Sequence, residues 1–297
     1  MRVRLFHPPG RTRRCFLIAP GLHYAGADDP RMDRFCRILA CAGHLVIAPD
    51  IPAYLALTPN AQAKTEFTRV LEALPRWTDQ KPVVFSISFG SLLAFMAAAE
   101  HPEKIERLVM FGPYADFREM MKFCLTGAAR DPLNQPVVLM NLMHLIECAD
   151  RTATIEGWRR YVEATWGKPE LKLGTAFVPF AERIASSVPE AVRDLFLIGT
   201  GARPGAAPLA LEALERFDDR DLDPRPYLPR IRCRVDLVHG VDDDVIPFEH
   251  SHMLGRQLPT ARVHVTGMYG HTGVSSPKLS IVAKELATMI RVLLAMR

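Results

Sequence analysis

Residues Pro82 to Pro102 constrain the fold more than any other stretch. They read Pro-Val-Val-Phe-Ser-Ile-Ser-Phe-Gly-Ser-Leu-Leu-Ala-Phe-Met-Ala-Ala-Ala-Glu-His-Pro. Val83, Val84, Phe85 and Ile87 form a short apolar run with little polar alternation, the pattern of a parallel strand buried on both faces. From Phe89 onward the residues favour helix. Leu, Ala and Met crowd most of its faces, which assigns this helix to the interior. Pro102 ends it. Strand and helix are joined with almost no loop, and Ser88 stands at the corner.

The rest of the chain is long enough to build a large core around that unit. Its 297 residues fit one large α/β domain or a core with an inserted subdomain, and 48% of them are hydrophobic. The net charge of +4 is mild, and no Lys/Arg run is interleaved with aromatics, so a nucleic-acid surface has no support. Arg11, Arg13 and Arg14 read as a solvated turn. The six cysteines form no Cys-x-x-Cys pair and no Cys/His cluster with zinc spacing, so no metal is expected. Most sit in apolar contexts, as free thiols in a reducing, cytoplasmic setting do. The apolar run Cys15 to Pro20 follows arginines, but it is too short for a signal peptide and has no small-x-small cleavage site. Val137 to Ile146, the longest apolar stretch, is interrupted by Asn141 and His144 and is too short to span a bilayer.

In chain order, Val3 to Phe6 offers one short strand at most, and Cys15 to Ala19 is the first firm strand. The loop Pro20 to Gly26 follows. Arg31 to Ala42 is an amphipathic helix with Gly43 as its stop. Leu45 to Ala48 is a buried strand, and a helix runs from about Ala61 to Leu74. After the Ser88 corner and its helix, Arg107 to Phe111 is another strand. Strands alternating with helices imply a mostly parallel sheet with helices on both faces. From Asp116 to Pro226 that alternation stops. Helical segments replace it: Phe117 to Leu125, Val137 to Cys148, Thr154 to Trp166, Ala176 to Ala185 and Ala207 to Phe217. Strands resume at Arg234 to Val238 and Arg262 to Val265, and Leu279 to Met296 is a last amphipathic helix. The expected division is a core of residues 1–115 and 227–297 with a helical insertion at 116–226.

The corner Ser86-Ile87-Ser88-Phe89-Gly90 resembles the nucleophile elbow Gly-x-Ser-x-Gly. Small residues flank the nucleophile because strand and helix backbones nearly touch there. Gly90 fits, and Ser86 stands in place of the first glycine. Three further stretches fall where such an elbow needs them. Gly240-Val241-Asp242-Asp243-Asp244-Val245-Ile246-Pro247 follows a buried strand. Tyr269-Gly270-His271-Thr272-Gly273 follows the last strand. Pro20-Gly21-Leu22 follows the first firm strand. Together they resemble the α/β-hydrolase fold superfamily, in its serine esterase-like form with a helical cap. The resemblance covers about Cys15 to Pro113 and Arg230 to Arg297.

The resemblance implies a catalytic triad in the order Ser88, Asp243, His271. The register of Gly240 and Pro247 selects Asp243 over its neighbours, with Asp116 as the alternative acid. The resemblance also implies an oxyanion hole formed by the backbone N–H groups of Leu22 and Phe89. Pro20 occupies the place where a histidine is usual. A serine hydroxyl is a weak nucleophile until a base removes its proton. His271 is the expected base, with Asp243 fixing its tautomer.

Such a site implies acyl transfer: hydrolysis of a carboxylic ester, thioester or lactone. Dehalogenases and epoxide hydrolases of this superfamily use Asp at the elbow, and Ser88 argues against both. Perhydrolases and carbon–carbon hydrolases share the triad, and a non-catalytic small-molecule binding protein is a reading from another class. Without Gly-x-Gly-x-x-Gly or a P-loop, no nucleotide cofactor is expected. Met140, Leu142, Met143, Trp158, Trp166, Phe177 and Phe180 in the insertion point to a substrate with an apolar acyl or alcohol group. The competing role for each is packing of the insertion itself.

Overall fold

The computed structural model describes residues 1–267, the backbone of Tyr269–Gly270 and Gly273–Val274, and residue 290. The chain divides into two units, Met1–Phe117 together with the chain from Arg220, and Arg118–Asp219.

The first unit begins with β1 (Val3–Phe6), β2 (Arg14–Ala19), α1 (Pro30–Cys41) and β3 (His44–Pro49). The short helix α2 (Pro52–Leu55) and α3 (Ala61–Ala73) lead to β4 (Val83–Ile87), α4 (Gly90–Glu100) and β5 (Arg107–Phe111). Asp29 starts α1, its carboxylate accepting the N–H groups of Arg31 and Met32, and Pro30 supplies a first-turn residue that needs no N–H partner. After the second unit come β6 (Arg234–Gly240) and β7 (Ala261–Thr266). These strands form a seven-stranded sheet in the order β1-β3-β2-β4-β5-β6-β7. All neighbours are parallel except β1, which pairs antiparallel with β3 at the edge.

On one face, Phe16, Ile18, Val46, Ala48, Val83, Phe85 and Val109 meet Cys36 and Leu39 of α1 in one apolar cluster. Their alternate neighbours Leu17, Ile47, Val84, Leu108 and Met110 are equally buried, so the sheet is covered on both sides. Burying each such side chain contributes about 1.5–3 kcal/mol. The order reverses at β2 and β4: the chain leaves β2 toward β3 and later returns to lay β4 on the other side of β2. In open α/β sheets the crevice at the carboxyl ends of such a strand pair is where ligands bind.

The second unit contains α5 from Arg118 onward (Phe117–Thr126), α6 (Gln135–Leu142), α7 (Arg151–Thr165), α8 (Val178–Ala185), α9 (Glu190–Gly199) and α10 (Ala206–Arg216). Gly157 and Gly199 let α7 and α9 close on each other. A Cβ at Gly199 would lie 2.3 Å from the Trp158 ring, and one at Gly157 would lie 3.0 Å from the Phe196 ring. The Trp158 indole N–H donates to the Phe196 carbonyl at 3.1 Å. Met140, Leu142, Met143, Trp158 and Phe177 are all buried, whereas Trp166 and Phe180 are half-buried.

Some element bounds differ from those read in the sequence. The run expected to be helical from Val137 to Cys148 ends its α-helix at Leu142 and turns through Met143–Leu145. Asn141 hydrogen-bonds the Val137 carbonyl through its side chain, the local competition that makes Asn a poor helix residue. The helices α2 and α9 were not anticipated. The expected final helix Leu279 to Met296 lies outside the described residues. Among the described residues no helix is long and apolar enough to cross a membrane.

Candidate active site

The corner after β4 is strained, and the strain has a local cause. Ser88 has φ +52°, one of two non-glycine residues with positive φ among the described residues. A left-handed serine costs about 1–2 kcal/mol. It persists because both sides of the corner are fixed. The Ser88 N–H donates to the Phe111 carbonyl of β5 at 2.8 Å. Gly90 brings α4 against β2 so closely that a Cβ there would sit 2.0 Å from the Ala19 carbonyl oxygen and 2.6 Å from that of Pro20. Alanine at this position would force the helix off the strand. Ser86, where a glycine is usual, lies inside β4, fully buried, with its hydroxyl unpartnered among the described residues.

The loop after β2 lies against this corner. A Cβ on Gly21 would fall 3.1 Å from the Ile87 carbonyl oxygen and 3.5 Å from the Ser88 Cβ. Leu22 follows directly. Phe89 is the first residue past the nucleophile and caps α4, with φ −56° and ψ −22°. Among the described residues, neither the Leu22 N–H nor the Phe89 N–H meets an acceptor. Two unengaged donors thus flank the serine from the two loops at the reversal point. Phe89 is held in place by Tyr54, whose buried hydroxyl donates to its carbonyl at 3.1 Å, and by ring contact with Tyr114 at 5.5 Å. Burial raises the pKa of both phenols, so both remain neutral donors.

The acid loop lies further along the same edge. Phe111 of β5 receives the Ser88 N–H, and Gly112 donates to the Val238 carbonyl of β6 at 2.9 Å. With strands about 4.8 Å apart, β6 lies roughly 10 Å from β4. Past its end, Asp242 is exposed, Asp243 is buried and Asp244 is half-buried. One oxygen of Asp243 accepts the N–H groups of Val245 at 2.9 Å and Ile246 at 2.7 Å. The other lies 3.3 Å from Nε2 of His239. His239 is itself fully buried in β6, with Nε2–H donating to the Ile246 carbonyl at 2.8 Å and Nδ1 accepting from the Ser251 hydroxyl at 2.7 Å. Sequence reasoning passed over this histidine. Its one signal is a polar residue directly after the apolar pair Leu237 and Val238, at the carboxyl end of β6.

Asp116, the alternative acid, faces the Arg225 guanidinium at 3.2 Å. His271, the expected base, lies outside the described residues. Tyr269–Gly270 and Gly273–Val274 on either side of it pair antiparallel. Among the described residues no group of His, Cys, Asp and Glu is arranged to hold a metal ion. A surface depression of about 770 Å³ is lined by Arg11, Arg13, Gly43 and Gln80 at the opposite end of the strands, away from Ser88.

No family model matches the chain. It is 26% identical over 230 residues to a pimeloyl-acyl-carrier-protein methyl ester esterase of Aromatoleum aromaticum, covering 77% of this chain and 81% of that one. It is 25% identical over 233 residues to a 2-hydroxymuconate semialdehyde hydrolase of Pseudomonas putida, covering 76% and 70% respectively. The solved structure of Est1E from Butyrivibrio proteoclasticus with bound ferulic acid matches with a TM-score of 0.54 at 14% identity, over 98% of this chain and 94% of that one. The strand order, the reversal at β2 and β4 and these likenesses define an α/β-hydrolase-fold protein. These named relatives are hydrolases.

Proposed function

We propose that this protein is a serine hydrolase that cleaves a carboxylic ester, thioester or lactone through an acyl-enzyme formed on Ser88. The observation that carries this reading is the strained Ser88 between two unengaged backbone donors, Leu22 and Phe89. His271 takes the hydroxyl proton as the Ser88 oxygen attacks the substrate carbonyl. The carbonyl oxygen becomes an oxyanion between the Leu22 and Phe89 N–H groups, each contributing roughly 3 kcal/mol of transition-state stabilisation. Collapse of this intermediate breaks the bond to the leaving alcohol or thiol, which takes the proton from His271. Water then repeats the sequence on the acyl-enzyme, releasing the acid and restoring Ser88. Asp243 holds the His271 tautomer and offsets the imidazolium charge.

Residues 118–219 serve in this reading as a cap that selects the substrate. The free thiols support a cytoplasmic setting. The likeness to a 2-hydroxymuconate semialdehyde hydrolase favours one second reading, carbon–carbon bond hydrolysis by the same triad.

The test is a panel of methyl and aryl esters, thioesters, lactones and a vinylogous diketone, run on wild type and Ser88→Ala. Ester turnover that Ser88→Ala abolishes supports the proposal. Turnover of the diketone alone supports the second reading. Binding without turnover by either protein would show a receptor rather than an enzyme.

A further inference from the structure

The loop that supplies the Leu22 donor contains a histidine that the proposed chemistry does not use. His23 follows Leu22 immediately, and its ring is engaged on both nitrogens. Nδ1 accepts the Ala25 N–H at 3.2 Å. Nε2 lies 3.0 Å from the Asp29 carboxylate, which also starts α1 by accepting the N–H groups of Arg31 and Met32. Because the Ala25 N–H can only donate, Nδ1 carries the lone pair and Nε2 the proton. The Arg31 guanidinium lies 3.4 Å from Nε2 but is itself a donor, bound to Asp29 at 2.8 Å, so the carboxylate receives the histidine proton.

The ring stacks on Tyr24 with centroids 4.6 Å apart, and the His23 carbonyl accepts the Gly26 N–H at 3.0 Å. Burial lowers the pKa of His23, and the nearby Arg31 acts in the same direction, while Asp29 opposes both. With its lone pair on a backbone N–H, this imidazole has nothing left with which to act as a base. It instead braces the oxyanion loop through its bond to the Ala25 N–H, and Asp29 at the amino end of α1 orients the ring for that bond.

We propose that His23, held by Asp29, is the positioning residue that aims the Leu22 N–H at the oxyanion. This rests on the serine-hydrolase reading above. The bond from a side-chain acceptor to the N–H two residues on has the form of an Asx-turn. Asparagine at position 23 therefore keeps the acceptor for Ala25, whereas alanine loses it. A donor that matters only in the transition state changes kcat and leaves KM in place.

The experiment measures kcat and KM on the best ester, and inhibition by the matching trifluoromethyl ketone, whose hemiketal anion needs the same donors. Wild type, His23→Ala and His23→Asn are compared, with thermal melting as the folding control. His23→Ala should lose at least roughly tenfold in kcat and a similar factor in ketone affinity, with KM within about threefold. His23→Asn should return both to within about threefold of wild type. Wild-type kcat in His23→Ala, or a His23→Asn protein that folds but is tenfold impaired, would overturn the assignment. If His23→Ala does not fold, His23→Asn decides alone. A wild type that neither turns over esters nor binds the ketone overturns the serine-hydrolase reading itself, a result distinct from an active enzyme indifferent to position 23.

Discussion

At the carboxyl ends of β2, β4 and β6, backbone groups are strained or left unengaged. Ser88 is left-handed, the Leu22 and Phe89 N–H groups have no acceptor among the described residues, and Asp243 is buried in a loop. At the amino ends of the same sheet, side chains neutralise one another. Arg14 pairs with Glu106, and Arg234 donates to Asp236 at 2.9 Å. His264 on β7 donates to the same carboxylate at 3.4 Å. Arg107 is the exception there: it is buried, its Nε and Nη2 make no hydrogen bond among the described residues, and Nε only approaches the Glu106 carboxylate at 4.0 Å. Burial first, and then the neighbouring Arg14, lower its pKa. One edge spends stability on geometry that acyl transfer needs, and the other holds the strands together. Strain of this kind persists only where the surroundings over-determine it, as Gly90 and the Phe111 carbonyl do for Ser88.

If that division is right, changes at the two edges separate activity from stability. The largest effect falls at the acid loop. Asp243→Asn can keep the two backbone N–H bonds through its amide oxygen but loses the charge. Turnover should fall at least roughly 10²-fold, about 2.7 kcal/mol in the barrier, with the melting temperature little changed. Asp242→Asn and Asp244→Asn should stay within about threefold. A large effect at either neighbour would move the acid by one position, and a large loss of stability in Asp243→Asn would blur the division of the edges.

The next effect is the mirror image. Burial pushes the Asp236 carboxyl pKa up, but the hydrogen bond from His264 and the Arg234 guanidinium outweigh it and hold it below the usual range. A depressed folded-state pKa means stability that is present above the unfolded pKa of about 3.9 and lost as the pH falls through the folded value. Asp236→Asn should therefore cost about 2 kcal/mol at pH 7 in urea unfolding, with the gap to wild type narrowing below about pH 4. Its kcat should match wild type, since Asp236 lies roughly 13 Å along β6 from Gly240. A changed kcat would mean that the two edges are coupled.

The smallest effect tests the strain itself. Ser88→Gly removes a side chain from a left-handed position and should raise stability by about 1 kcal/mol while abolishing turnover. Unchanged or reduced stability would show that the corner is not strained at the cost of the fold.

Much of this was legible in the sequence, for identifiable reasons. Val83 to Phe85 and Leu45 to Ala48 are apolar without alternation, the pattern of strands covered on both faces. Gly90 marked a close approach that the structure shows against the Ala19 carbonyl. Asp243 was chosen by spacing alone, and it is the one of the three aspartates that is buried. The roles of His23 and His239 were not legible. Each depends on which partners reach the two ring nitrogens, and for His239 those are Ser251 and Ile246, beyond any periodic pattern. The helix Glu190–Gly199 has an apolar stripe of its own, Val192, Phe196 and Leu197, packed toward Trp158 and Tyr161, but it directly follows Pro189 and has no side-chain cap to mark its start.

The central claim is that Ser88 is the nucleophile, and a fluorophosphonate probe tests it most directly. Folded protein is treated with the probe, its intact mass is measured and the modified peptide is mapped. A single adduct on Ser88, absent from Ser88→Ala, is the predicted result. Labelling at the buried Ser86 or Ser91, or no labelling of well-folded protein, would contradict it.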